Sequence, residues 1–350
     1  IITTFIEDTL KALSEVNIQG EIISNNAVFS EFNGTIYPTV YDKKFIRSTL
    51  GQESCTPMPY RDQNNILYKG SASVVNGEFS FSFVVPKDIS YNFGKGKISY
   101  YAHDENQKID ARGSSKNFII GGVSDNIIYD YDGPEVELYM NSRGFVDGGI
   151  TDANPTLIVD VFDLSGINMS GNGIGHDIIA VLDDNNQQPY VLNEYYVSEK
   201  DDYTKGTINF PFTDLDLGPH TLSFKIWDVF NNSTEVNINF VVVDENSFIV
   251  SEYVCFPNPF TVSTDFYFEH NKPNQNLDVI LDIYSINGSL VRRIQKSYLD
   301  DGYRLGPINW NGKDNNGYYV NAGIYIAKLN VSSFDGDFVS KTNRVILLPK

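Results

Sequence analysis

The residue types that could carry chemistry are few and scattered. Cys55 and Cys255 are the two cysteines; His103, His176, His220 and His270 are the four histidines. A thiol becomes a nucleophile when a base or a positive neighbour lowers its pKa, which a histidine folded beside it could do. Cys55 stands in Gly51-Gln-Glu-Ser-Cys-Thr-Pro-Met-Pro59 and Cys255 just before Phe256-Pro-Asn-Pro259. Neither context offers an oxyanion hole or a base, so no catalytic role is expected of either. No His-x-x-x-His or Cys-x-x-Cys spacing gathers even part of the roughly four ligands zinc takes.

Gly171-Asn-Gly-Ile-Gly-His-Asp177 has the glycine content of a phosphate-cradling loop. Such a loop also needs a following helix whose N-terminus faces the phosphate, and Ile178-Ile-Ala-Val-Leu182 reads as a strand. A tight turn feeding a sheet is expected, with His176 a turn or packing residue. The acidic pairs Asp130 and Asp132, Asp160 and Asp163, Asp183 and Asp184, and Asp201 and Asp202 are oxygen donors of the kind Ca2+ takes, although none completes an EF-hand loop. The alternative is a solvated acidic face, and calorimetry with and without a chelator separates the two.

The elements that must position these groups read as strands. In Phe79-Ser-Phe-Ser-Phe-Val-Val85, Phe79, Phe81, Phe83 and Val85 share one face; in Val236-Asn-Ile-Asn-Phe-Val-Val242, Val236, Ile238, Phe240 and Val242 do the same. Asn76-Gly77, Asn287-Gly288, Asp301-Gly302, Asn311-Gly312, Asn316-Gly317 and Asp335-Gly336 supply turns that need positive φ. The clearest hairpin has Ile283-Tyr-Ser-Ile286 and Leu290-Val-Arg-Arg-Ile294 about Asn287-Gly-Ser289. One helix is expected, a short connector at the start where Ile6, Leu10 and Leu13 keep helical spacing. The fold class that follows is all-β, with tandem Ig-like sandwiches.

Lys plus Arg is 26 against 45 for Asp plus Glu, a formal charge of −19 over 350 residues. A nucleic-acid binder needs cationic surface to displace counterions, so that class is excluded. The excess is local: residues 131 to 245 hold 20 acidic and 4 basic side chains, a net of −16, whereas residues 246 to 350 hold 10 of each. No apolar run reaches the ~18 residues of a membrane-spanning helix. Ile1-Ile-Thr-Thr-Phe5 lacks an initiator Met and a signal-peptide profile, and the chain reads as part of a longer product. Lapses in the alternation at Gly121-Gly-Val-Ser-Asp-Asn126 and Asp244-Glu-Asn-Ser247 suggest three domains: 1–126, with the connector helix; 127–245, acidic; and 246–350.

A family resemblance runs through these segments. Phe256-Pro-Asn-Pro-Phe260, Leu281-Asp-Ile-Tyr-Ser-Ile-Asn-Gly288, Trp310-Asn-Gly-Lys-Asp-Asn-Asn-Gly317 and Ala322-Gly-Ile-Tyr-Ile-Ala-Lys-Leu329 come in an order that resembles the Ig-like module of flagellar hook-capping proteins. The same order resembles the C-terminal sorting domains of type IX secretion cargo. Upstream, Val40-Tyr-Asp-Lys43, Thr49-Leu-Gly51, Tyr68-Lys-Gly-Ser-Ala-Ser-Val74, Phe83-Val-Val-Pro-Lys-Asp-Ile89, Gly94-Lys-Gly-Lys-Ile-Ser-Tyr100, Gly166-Ile-Asn168, Gly173-Ile-Gly-His-Asp177, Leu192-Asn-Glu-Tyr-Tyr196, His220-Thr-Leu222 and Trp227-Asp-Val-Phe-Asn-Asn232 follow the order found after the peptidase domain of the type IX sortases. These are gingipain-like C25 cysteine peptidases.

The resemblance implies a cell-surface protein of the Gram-negative outer membrane that cuts C-terminal signals from cargo and attaches the cargo to lipopolysaccharide. The family's catalytic Cys and His belong to the peptidase domain and match nothing here. As partners it implies a PorV-like outer-membrane β-barrel, other attachment-complex subunits and cargo C-terminal domains. The barrel contact is expected on the last module, around Gly323 and Tyr325, although Tyr325 reads equally as a core strand aromatic. The competing class is an adhesin or glycan-binding array of Ig-like modules, gripping through exposed aromatics.

Overall fold

The computed structural model describes residues 1–52, 55–170, 175–244, 248–273, 275–299 and 302–349. These residues are almost all strand and turn, with one 3-10 turn, Asn193–Tyr195, and no α-helix among them. The all-β reading therefore holds, and the tandem-sandwich architecture with it. The chain divides into two compact units: Ile1–Leu138 with Val159–Phe210 and Leu222–Asn237, and Tyr139–Ile158 with Pro211–Thr221 and Ile238–Lys350.

In the first unit one large sheet runs Ile2–Phe5, Glu15–Glu21, Glu78–Val84, Ala72–Val75, Gly34–Tyr41, Lys97–Asp104, Ile109–Ser115, with Ile66–Lys69 also pairing to Gly34–Tyr41. A three-stranded sheet of Gly94–Lys95, Ile119–Val123 and Thr9–Ala12 completes the sandwich. Phe79, Phe81, Phe83 and Val85 are all buried while Ser80 and Ser82 face outward, as the period-two pattern requires. The turn between Ala72–Val75 and Glu78–Val84 has φ of 53° at Asn76 and 79° at Gly77, the signature of a two-residue type I′ hairpin. A Cβ on Gly77 would also lie 2.5 Å from the Phe29 carbonyl oxygen.

The connector helix expected at the start does not form: among the described residues there is no α-helix. Thr9–Ala12 is a strand whose Leu10 and Ala12 are buried on one face, and Leu13, at φ 61°, ends it. Ile6, Leu10 and Leu13 do keep helical spacing. The segment's backbone groups are instead satisfied by parallel pairing to Ile119–Val123, with Ile119 opposite Thr9 and Ile120 opposite Leu10. A tertiary partner overrides local periodicity.

Also in this unit, Tyr196–Glu199 pairs antiparallel with residues 202–208, and Ile179–Leu182 lies between Tyr190–Val191 and residues 222–225. In the second unit Ile150–Thr151 pairs in parallel with Val241 and Val242. Ile238, Phe240 and Val242 are buried and Asn237 and Asn239 exposed, as read from the alternation, whereas Val236, expected on the same face, is half-buried.

The last sandwich, in the second unit, sets the sheet Val250–Phe256, Thr264–His270, Arg304–Trp310 against the sheet Leu290–Tyr298, Leu277–Ser285, Gly323–Ser333, Phe338–Leu347. Its core gathers Phe266, Phe268, Leu281, Ile283, Trp310 and Leu329. The hairpin about Asn287-Gly-Ser289 forms as expected, with Gly288 at φ 82° and the Ser285 amide donating to the Ser289 carbonyl. Phe260 closes this sandwich by a parallel bridge to Leu347. Residues 245–247, where the second boundary was placed, and Asp301 of the Asp301-Gly302 turn lie outside the described residues.

Candidate functional site

The site is built where three loops of the first unit meet. Asp130 precedes the strand Glu135–Met140, Asp163 follows Thr156–Phe162, and Asp228 follows Gly218–Trp227. One carboxylate oxygen from each lies within 4.8 Å of the others. Asp163 is 5% exposed and Asp228 is 0% exposed. The loops are held by an antiparallel bridge between Ile167 and Asp228 and by the Val229 amide donating to the Gly166 carbonyl. Gly166 takes the left-handed conformation this turn requires, at φ 89°.

Each carboxylate is bound by the protein itself. Asp163 Oδ1 accepts from the amides of Ser165 (2.8 Å) and Gly166 (3.0 Å). Asp228 accepts from the Asn232 amide and from Asn232 Nδ2, both at 2.7 Å. Ser165 Oγ donates to Asp130 Oδ2, and Asn232 Nδ2 reaches the Asp130 carbonyl. These donors do not offset the loss of water. Burial first, and then the neighbouring charges of Asp228 and Asp130, push the Asp163 carboxyl up from 3.8 to about 7 against the pull of its two amide donors. Burial likewise raises Asp228. Asp163 is thus the carboxyl of the three that takes up a proton near neutrality. Three carboxylates supply about half the oxygens that calcium takes.

The acidic residues of the sequence are redistributed by this geometry. The Asp130 and Asp163 named as calcium donors converge, whereas Asp132 contributes its amide to Asp130 Oδ1 and the pairing with Asp160 by sequence neighbourhood is not the one that forms. Asp228 was not singled out; its signal is the run Trp227-Asp-Val-Phe-Asn-Asn232, a turn in which Asp and Asn caps are expected.

A second polar cluster lies in the same unit. Asp88 accepts from His176 Nδ1 at 2.6 Å, from Asn168 Nδ2 at 2.9 Å and from Asn231 Nδ2 at 2.7 Å, and the His176 ring sits 4.4 Å from Trp227. His176 is thus a packing and latching residue. Residues 171–174 of the glycine-rich segment lie outside the described residues.

The remaining candidates are placed separately. Cys55 is exposed and Cys255 half-buried, and burial pushes the Cys255 thiol up, the opposite of nucleophile activation. His103 meets Glu105 at 3.3 Å, and His220 stacks on Phe240. His270 is buried, its pKa pushed down to about 4 by desolvation, and is neutral at ordinary pH.

Gly323 opens an exposed strand end opposite Leu347. Tyr325 points into the core, edge-on to Trp310 at 5.2 Å, with its hydroxyl donating to the Asn321 carbonyl at 2.6 Å. Ile324 and Ile326, which alternate with it, are exposed on the sheet's outer face.

No family model matches the chain, and no curated protein does. Among solved structures, dimeric latent PorU from Porphyromonas gingivalis aligns at 31% identity over 98% of this chain and 32% of that one, with a TM-score of 0.41. A glucan-utilisation protein of Bacteroides ovatus, SGBP-B in complex with a mixed-linkage heptasaccharide, aligns at 8% identity over 91% of this chain and 64% of that one, with a TM-score of 0.28. The extending-region repeats of a large adhesion protein align at 14% identity over 99% and 73%, with a TM-score of 0.22. The chain spans about a third of the length of the PorU structure.

Proposed function

We propose that this chain is the non-catalytic, cell-surface portion of a type IX secretion sortase. It is a string of β-sandwiches that positions a cysteine peptidase domain while that domain removes C-terminal signals from exported cargo and attaches the cargo to lipopolysaccharide at the outer membrane. The supporting observation is the linear order of the motif series, from Val40-Tyr-Asp-Lys43 to Ala322-Gly-Ile-Tyr-Ile-Ala-Lys-Leu329, along nearly the whole chain. Three modules, 1–126, 127–245 and 246–350, go with this reading. They are supported by three parallel closures: Thr9–Ala12 with Ile119–Val123, Ile150–Thr151 with Val241 and Val242, and Phe260 with Leu347.

In this reading the last module docks to a PorV-like outer-membrane β-barrel through the strand that Gly323 and Tyr325 open. With Tyr325 packed on Trp310, the contact falls on the exposed Ile324 and Ile326. A pull-down comparing the full chain with one lacking residues 246–350 tests it: the shortened chain loses the barrel, and retained binding overturns the assignment. The gene upstream of Ile1 tests the parent protein, since a gingipain-like domain there supports the sortase.

A second reading, an adhesin or glycan-binding array, is favoured by one observation. Tyr37, Tyr101 and His103 form a triangular aromatic cluster, with ring centroids 5.6 to 6.3 Å apart and both tyrosines exposed. Further sandwich repeats upstream of Ile1 would select it.

A further inference from the structure

Against a formal charge of −19, one concavity of the first sandwich is cationic. A cleft of about 650 Å³ is lined by Lys43, Lys44, Arg61, Lys95 and Lys116, five basic side chains against the single carboxylate of Asp42. One wall is the ribbon formed by Phe45–Ser48 and Pro59–Asp62, in which Ile46 lies opposite Arg61. The other is Gly94–Lys95, paired to Ile119 and Ile120. Gln63 Nε2 ties the walls together by donating to the carbonyls of Asp42 and Lys95.

Asp42 does not balance this charge. It is buried, and its Oδ1 accepts from the Lys43 amide at 2.8 Å and pairs with Lys43 Nζ at 2.9 Å, so those two groups cancel. Lys44, Arg61, Lys95 and Lys116 remain, all exposed and none ion-paired to a carboxylate among the described residues. Four like charges facing one cleft repel one another, a cost that an anion recovers. Arginine's planar fork matches a phosphate in two parallel hydrogen bonds, and lysine supplies point charge for its remaining oxygens. Two exposed apolar side chains line the cleft as well: Ile46 is 71% exposed and Phe93 69% exposed. Cations and exposed apolar side chains lining one cleft are complementary to an anionic headgroup attached to hydrocarbon.

We propose that this cleft binds a phosphate-bearing amphiphile, with its phosphate on Lys44, Arg61, Lys95 and Lys116 and its apolar part against Ile46 and Phe93. The site stands apart from the acidic cluster and does not rest on the sortase reading, since an adhesin built on the same sandwich would carry the same cleft.

The test uses the full 350-residue chain in two arms: sedimentation with phosphatidylcholine vesicles with and without phosphatidic acid, and calorimetric titration with inorganic pyrophosphate. Binding to the acidic vesicles is expected to fall by about tenfold or more in the double reversal Lys95→Glu, Lys116→Glu, by the energetics of basic side chains at an anionic surface. It should persist in Lys95→Arg, Lys116→Arg and in a control of the same charge change outside the cleft lining, Lys341→Glu. Strong vesicle binding with weak pyrophosphate binding identifies a lipid headgroup. Pyrophosphate binding lost on reversal, without vesicle preference, identifies a free phosphate group and removes Ile46 and Phe93 from the site. Binding in neither arm, or vesicle binding that ignores the reversal while melting is unchanged, overturns the proposal.

Discussion

Replacing Asp163 by Asn tests whether the acidic cluster is held together by a proton. The native carboxyl titrates at about 7 and the unfolded one near 3.8. Between those values the folded chain binds a proton that the unfolded chain does not. The contribution of Asp163 to stability therefore falls as pH rises from about 4 to about 7 and levels off above, and it is fully present at the acid end. At about 1.4 kcal/mol per pH unit this shift corresponds to at most roughly 4 kcal/mol, and partial hydration of the cluster lowers it to about 2. Asn has the same shape, and its Oδ1 can keep both amide donors from Ser165 and Gly166, while its Nδ2 turns a repulsive contact with Asp130 and Asp228 into a donated one. Asp163→Asn should thus raise stability by about 2 kcal/mol at pH 8, some 4 to 8 °C in the transition of the first unit, and change it little at pH 4.5. Scanning calorimetry from pH 4.5 to 8.5 reads both. A variant less stable than the parent at pH 8, or a gap of equal size at both ends of the range, refutes the reasoning.

Other perturbations check other parts of the argument. Gly77→Ala places a Cβ against the Phe29 carbonyl at positive φ and should cost about 1 to 2 kcal/mol in urea unfolding, whereas Asn76→Gly should cost under about 1. Tyr325→Ala should empty the space beside Trp310 and lower stability by about 3 to 5 kcal/mol, and Ile324→Glu should leave the melting temperature nearly unchanged while weakening barrel capture. Asp88→Ala removes the acceptor shared by His176, Asn168 and Asn231, with a loss of roughly 1 to 3 kcal/mol expected by denaturant titration; a neutral result would show the latch to be solvated.

What the sequence revealed divides along the range of the interactions involved. The alternation of Phe79, Phe81 and Phe83 and the Asn76-Gly77 turn are local, because a strand face and a two-residue turn are set by neighbours. Thr9–Ala12 was misread because its partner, Ile119–Val123, lies far along the chain, and helical spacing of three apolar residues was the stronger local signal. The acidic cluster was half visible: acidic pairs were read where they are adjacent in sequence, but loops bring single residues from three places. The cationic cleft was hidden for the same reason. Lys43 and Lys44, Arg61, Lys95 and Lys116 dilute into a segment whose total is 15 acidic and 12 basic residues, and only the pairing of two ribbons concentrates them. Tyr325 was legible as a strand residue, but the direction its ring takes depends on the register with Ser285 and Val345.

The parallel closures also have a mechanical meaning. When a chain is pulled from both sides of a sandwich, the strand nearest the start and the strand nearest the end are drawn in opposite directions along their length. If those two strands run parallel and are hydrogen-bonded, as Thr9–Ala12 and Ile119–Val123 are, the load falls on all of their bonds together in shear instead of unzipping them one by one. Ile150–Thr151 with Val241 and Val242 repeats the device on a smaller scale. A sandwich closed this way resists being stretched from its two ends.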